Sequence, residues 1–300
     1  MDRIRIKGLT AAVVTPMKSS GEINLRAIGP YAKFLSERGV SGVYVCGTTG
    51  EGLQMELDER KAVAEKWMEY SDKLNILVHV GSTSYAQSAS LARHAQEIGA
   101  KAISAMGPCF LQPSRPEELV AFNKIIADSA PDTPYYYYNI PGTSGCHVSM
   151  AGFMELASRE IPTFNGIKYT DYNTCEMQDC INFAGGRYDI LHGHDETLIA
   201  GLQIGATGGI GTSYNVTSPV FIKMLEAWNS GDHNKAVELQ REANRVVTLM
   251  CKYVNCIVGV KAMLDIMGIP CGPCRLPLRN LNNEEMKSLE NEFDQYRELL

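Results

Sequence analysis

The sequence predicts an α/β chain folded as a (β/α)8 TIM barrel with a C-terminal helical extension, and three observations predict it. Short apolar runs with little polar alternation recur eight times between Leu9 and Gly211. Strands buried on both faces read this way, as parallel sheets do. Between the runs lie segments with apolar residues at helical spacing, such as Ile28, Tyr31, Phe34 and Leu35, then Leu91, Ala92, Ala95 and Ile98. Glycine closes the helical pattern just before the next run at Gly39, Gly99 and Gly205, because past a helix end it takes the left-handed conformation at no steric cost. A doubly wound sheet uses the same repeat, but with fewer strands and a ligand loop at its switch point.

In order, the strands are residues 9–15, 43–46, 76–80, 102–106, 135–139, 164–168, 189–192 and 208–211. Residues 8–215 form the barrel core. From 216 to 300 the pattern is helical, with one break at Gly268-Ile269-Pro270-Cys271-Gly272-Pro273. That is more helix than closing a barrel needs, so the last barrel helix is followed by further helices of one domain spanning 1–300.

A chain of 300 residues suits such a barrel, which typically takes about 250 residues plus insertions. With 45% hydrophobic and 21% charged residues it can bury a substantial core. The net charge of −6, with no Lys/Arg run, argues against nucleic acid or an anionic membrane as a partner. No apolar run approaches the ~20 residues of a membrane span, and the opening MDRIRIKG carries no apolar signal core. A soluble cytoplasmic protein acting on a small molecule is the expectation. The nine cysteines are odd in number and scattered from Cys46 to Cys274, which reads as reduced thiols.

Barrel chemistry sits where strands end and βα-loops begin. Strand two runs into Gly47-Thr48-Thr49-Gly50-Glu51-Gly52. Its glycines let backbone N–H groups converge and its threonines add hydroxyls, a pocket for a carboxylate or simply a tight turn. It matches neither nucleotide-binding glycine pattern. Strand five ends Tyr135-Tyr136-Tyr137-Tyr138-Asn139; alternation puts Tyr136 and Tyr138 on one side, where Tyr138 can relay a proton at the mouth or pack as an aromatic. Strand six carries Gly166-Ile167-Lys168-Tyr169-Thr170. Lys168 reads either as a snorkelling surface group or as an amine whose desolvation favours the nucleophilic form, able to form a Schiff base with a keto acid. Strand seven leads to Gly193-His194-Asp195-Glu196 and strand eight to Gly209-Ile210-Gly211-Thr212-Ser213. Paired carboxylates there bind polyol hydroxyls, or merely open the next helix favourably to its dipole. The lone Cys271-Gly272-Pro273-Cys274 and the pair His192 and His194 lack the further ligands a metal needs, so no metal is expected.

GTTGEG at 47–52, YNIPG at 138–142, GIK at 166–168, GHDE at 193–196 and GIGTSYN at 209–215 occur in order and register. The chain thereby resembles the N-acetylneuraminate lyases, within the dihydrodipicolinate synthase superfamily of pyruvate-dependent class I aldolases, from about Gly8 through Leu278. The resemblance implies that Lys168 forms the Schiff base with pyruvate and that Tyr138 assists proton transfer. It implies that Thr48 and Thr49 hold the pyruvate carboxylate, and that Thr170, Gly193, Asp195, Glu196, Gly211 and Thr212 bind the rest of the substrate. It also implies a homotetramer without metal or other cofactor, with pyruvate, N-acetylmannosamine and sialic acid as its small-molecule partners. The superfamily also includes 2-keto-3-deoxy sugar acid aldolases and dihydrodipicolinate synthases, and a silent sugar-acid-binding barrel is the alternative of another class. Two departures stand out. Gly142-Thr143-Ser144 replaces the arginine that dihydrodipicolinate-forming members carry after YN-P, and Phe110 stands where many members have an intersubunit tyrosine.

Overall fold

Eight parallel strands pair in chain order, and the ladder closes on itself as a barrel. They are β1 (Gly8–Ala12), β2 (Gly42–Val45), β3 (Asn75–His79), β4 (Ala102–Met106), β5 (Tyr135–Asn139), β6 (Phe164–Tyr169), β7 (Asp189–His192) and β8 (Gly208–Gly211). The structure, a computed structural model, describes residues 3–300. The helices between strands are α1 (Ile28–Glu37), α2 (Leu57–Met68), α3 (Tyr85–Glu97), α4 (Pro116–Asp128), the short α5 (Pro141–Ser144), α6 (Met150–Glu160), α7 (Thr174–Asn182) and α8 (Leu198–Gln203). Four more follow β8: α9 (Tyr214–Asn229), α10 (His233–Cys251), α11 (Cys256–Ile266) and α12 (Asn283–Phe293). The fold class is therefore the expected barrel with its helical extension. By internal contacts the chain divides into two compact units. One holds residues 3–7, Ile76–His194 and Ala200–Ile210; the other holds Gly8–Asn75, Asp195–Ile199 and Gly211–Leu300.

In the first unit, the four tyrosines of β5 divide as period-two alternation requires. Tyr135 donates to Asn123 of α4, and Tyr137 packs on Phe153 of α6 with ring centroids 4.5 Å apart, so this pair faces the helices. Tyr136 faces the other way and donates to Oδ2 of Asp189 at 2.8 Å. Asp189 also accepts the Ile6 N–H at 2.9 Å and the Thr207 hydroxyl at 2.9 Å, with Arg5 at 3.8 Å. Asn165 donates to the Tyr136 oxygen at 2.7 Å and pairs with the backbone of Ile4. Burial pushes the Asp189 carboxyl up from its ordinary range, against these four partners. The network ties the residues before β1 to β5, β6 and β7.

The second unit differs from the sequence reading in two places. The first strand stops at Ala12, not at residue 15. Residues 13–15 stay buried, but Pro16 has no N–H to extend the ladder and Thr15 spends its hydroxyl on the Gly50 carbonyl at 2.6 Å. The helical stretch from 216 on is interrupted three times, not once, the first break being the short turn at 230–232 between α9 and α10. Asn255 caps α11 after the turn at 252–255, with Oδ1 accepting from Ile257 and Val258 at 3.0 Å. The glycine-proline break reaches from 267 to 282, where Asp265 accepts from the Cys271 and Gly272 amides and Asn280 brackets Cys274. All nine cysteines are free thiols. Among the described residues no single helix is long and apolar enough to cross a membrane.

The Asp189 network yields a stability prediction. Tyr136→Phe keeps the ring but deprives a buried carboxylate of a donor, so urea unfolding should show a loss of about 1–3 kcal/mol. Tyr135→Phe, which leaves Asp189 untouched, should preserve the Asp189 contacts and leave the Ile6 amide equally protected from hydrogen exchange. Faster Ile6 exchange is expected in Tyr136→Phe alone.

Candidate active site

Register brings the lysine and the tyrosine together. In the β5–β6 ladder Tyr138 lies opposite Lys168, and directly opposed residues share a face. Lys168 is 4% exposed, so the snorkelling reading does not apply. Its Nζ stands 4.0 Å from the centroid of the Tyr138 ring. A second ring meets that tyrosine edge-on, His79 at the end of β3, with centroids 5.9 Å apart. The sequence reading missed His79; a polar residue ending an apolar strand was the available signal. Thr170 follows β6 directly, its hydroxyl buried with no hydrogen-bond partner. A side chain on Gly193 would come within 1.9 Å of that hydroxyl, so only glycine fits there. Beyond it Tyr172 and His194 stack in parallel at 4.1 Å, while His192 turns its Nδ1 toward Met177 Sδ at 3.4 Å.

In the second unit the glycine-threonine turn is tightly wound. Cys46 just before it and Glu51 within it are non-glycine residues in the left-handed region at φ 58° and 54°, a strain that recurs at functional sites. Thr48 is exposed; Thr49 is buried, with Oγ1 2.7 Å from Oγ1 of Thr212. Thr49 and Thr212, both named by the sequence, thus meet. So do Asp195 and Gly211: a Cβ on Gly211 would lie 2.5 Å from the Asp195 carboxyl carbon. Asp195 accepts the Ser213 N–H at 2.5 Å, and burial raises its carboxyl above the ordinary range. Asp195 and Glu196 do open a helical turn, Asp195–Thr197, which feeds α8. The helix-opening reading is therefore realised in geometry, with Glu196 left the more accessible carboxylate.

Two α10 residues that the sequence did not mark hold this turn. Gln240 donates to the Asp195 carbonyl at 3.1 Å and accepts the Ile199 N–H at 3.1 Å. Asn244 donates to the Glu196 carbonyl at 2.9 Å and is itself bonded to Gln240. Their spacing of four puts both on one helix face, but nothing in the sequence names what that face meets. Cys271 and Cys274 are buried thiols pushed up by burial, Cys274 to about 12. Among the described residues no group of three His, Cys, Asp or Glu side chains is placed to share a metal. Phe110 is left-handed, at φ 76°, and 91% exposed beside Leu111 at 80%.

Comparison with known proteins finds relatives over almost the whole chain. Residues 5–296 match the model of the dihydrodipicolinate synthetase family. Human N-acetylneuraminate lyase is 38% identical over 291 residues, covering 95% of this chain and 91% of the human protein. The solved structure of Proteus mirabilis N-acetylneuraminate lyase superposes with a TM-score of 0.94 at 36% identity, over 98% of this chain and 99% of that one. The sialic acid aldolase of Aliivibrio salmonicida gives 0.94 at 34% identity, over 98% of both chains.

The α10 contacts predict the behaviour of Gln240→Ala. It strands the Ile199 N–H and the Asp195 carbonyl, so stability should fall by about 1–3 kcal/mol. Hydrogen exchange at Ile199 should accelerate beyond that global change. Exchange at Ile199 that merely follows global unfolding would show that α10 does not hold the turn.

Proposed function

The chain belongs to the dihydrodipicolinate synthetase family, and from that premise we propose that it is a Schiff-base, class I aldolase that cleaves N-acetylneuraminate reversibly to N-acetylmannosamine and pyruvate. The observation that carries this reading is a buried lysine amine against the ring of Tyr138 at the ends of adjacent barrel strands. Lyases of that substrate are among the relatives and solved structures it resembles. In the reaction, Lys168 Nζ attacks the C2 ketone of the open-chain sugar acid, and loss of water leaves an iminium. The electron pair of the C3–C4 bond then flows into the iminium, giving the enamine of pyruvate. The C4 hydroxyl loses its proton and becomes the aldehyde of N-acetylmannosamine. Tyr138, with the substrate carboxylate, takes that proton. Protonation of the enamine at C3 and addition of water release pyruvate and restore the amine. The electrons balance without a redox partner, and the iminium is itself the electron sink, so the scheme calls for neither cofactor nor metal.

Thr48 and Thr49 hold the carboxylate in this reading, through hydroxyls and the backbone of the glycine turn. Thr170, Gly193, Asp195, Glu196, Gly211 and Thr212 serve the remainder of the sugar. The unpartnered hydroxyl of Thr170 supports this, since a buried donor without a partner is costly until a ligand supplies one. So does Glu196, whose partial exposure leaves it accessible to hydroxyls. Gly142-Thr143-Ser144 after the tyrosine offers no cation for a second substrate carboxylate, which favours a long neutral polyol. The reading extends to a cytoplasmic homotetramer. Phe110 and Leu111, apolar and almost fully exposed on one loop, support burial against another subunit.

Borohydride added with pyruvate should attach a reduced pyruvyl group to wild-type protein and not to Lys168→Ala; a label that persists in the variant would refute the role of Lys168. Pyruvate release from N-acetylneuraminate, measured by a coupled assay beside shorter 2-keto-3-deoxy acids, tests the substrate. Tyr138→Phe should fold as wild type and lose about 10²- to 10⁴-fold in kcat, the usual worth of general acid–base catalysis. An unchanged kcat would assign the proton to another group.

A further inference from the structure

We propose that the buried ion pair between Glu51 and Lys261 is a positioning device for substrate carboxylate recognition, by which α11 and the segment after it set the Thr48–Thr49 turn. Resting on the proposed function above, this inference adds residues that touch no substrate. Lys261 and Glu51 are 2% and 1% exposed, 210 residues apart in sequence, and joined at 2.6 Å. Both carboxylate oxygens are committed: Oε1 to Lys261 Nζ and Oε2 to the Arg275 N–H at 2.6 Å. Lys261 spends a second proton on the Pro273 carbonyl at 2.9 Å. The Arg275 side chain then clasps Glu59 with two bonds of 2.6 and 2.5 Å and reaches the carbonyls of Gly21 and Gln54.

A pair this buried is a poor source of net stability, because removing both charges from water cancels most of their attraction. What it does supply is direction, since a charged hydrogen bond tolerates little displacement. Glu51 needs that direction. It sits in the left-handed region at φ 54° and ψ 34°, unfavourable for a residue with a Cβ, and the ion pair holds it there. Its N–H donates to the Thr48 carbonyl at 3.1 Å, and the Gly52 N–H closes the turn onto Gly47 at 3.1 Å. Fixing the Glu51 side chain therefore fixes the peptide planes on which Thr48 and Thr49 are carried. Anion recognition by backbone and hydroxyl donors depends on those orientations.

The test compares pyruvate with methyl pyruvate, its neutral ester, as partners for borohydride trapping at Lys168. Apparent affinities are measured in wild type, Glu51→Gln, Lys261→Met and the double variant, which buries no unpaired charge and so folds even where a single variant does not. Thermal melts identify the folded variants. Wild type should prefer pyruvate. In folded variants the pyruvate affinity should drop ~10-fold or more while methyl pyruvate changes little, as expected when recognition groups shift by a fraction of an ångström. A preference for pyruvate kept intact in any folded variant overturns the inference, because a purely stabilising pair would lower the melting temperature without touching that ratio. Wild type that traps neither compound instead refutes the Schiff-base reading and takes this inference with it.

Discussion

A charge enclosed by this fold keeps its place only when a partner is built in beside it, and three enclosed carboxylates show how much of the molecule is arranged around that need. Asp189 gathers donors from Ile6, Tyr136 and Thr207; Glu51 is shared by Lys261 and Arg275; Asp195 rests on the Ser213 amide. An ionised group left alone in such surroundings would cost several kcal/mol. Each solution ties separate stretches of chain to one carboxylate, so satisfying the charge also fixes where those stretches lie. The first network anchors the residues before β1, the second the glycine-threonine turn, and the third the turns after β7 and β8. The threonine and carboxylate turns that the sequence singled out lie in the last two.

How much of this was legible in the sequence follows from what kind of signal each feature leaves. The strands were legible because parallel strands buried on both faces must be apolar along their length, and β4, β5, β7 and β8 fall where the runs lie. The first run failed at its end because residues 13–15 lie beyond the strand yet stay buried, Val13 giving one last N–H to the Tyr44 carbonyl, and burial is what an apolar run reports. Lys168, Tyr138, Thr49, Thr212, Asp195 and Gly211 were legible as polar or glycine residues at strand ends. Which of them touch was not, since contacts such as Thr49 with Thr212 link residues 163 positions apart.

The least legible part is the helical extension. Gln240 and Asn244 look like ordinary polar positions on a surface helix, yet Gln240 is buried against the turn that bears Asp195 and Glu196. Lys261 sits within a largely apolar stretch of α11, where a lysine gives no hint of its partner 210 residues away. Periodicity identifies the buried face of a helix but not its neighbour. The extension was expected as extra helix beyond what closure of the barrel requires. In the structure it supplies the contacts that hold both the glycine-threonine turn and the carboxylate turn.

Burial alone does not distinguish a reactive side chain from a structural one, as two pairs of identical residues make plain. Tyr136 and Tyr138 share the inward face of β5, separated by about 7 Å along the strand. The inner hydroxyl is taken up by Asp189 and Asn165, which commits its proton to the fold; the outer ring meets the Lys168 amine. Lys261 is at least as buried as Lys168, but it lies on a helix and is held by a carboxylate and a carbonyl. Lys168 lies at the C-terminal end of a barrel strand, where the βα-loops begin and a ligand can arrive. Placement at the C-terminal end of a barrel strand, rather than residue type or burial, therefore sets Tyr138 and Lys168, the proposed reactive pair, apart from Tyr136 and Lys261.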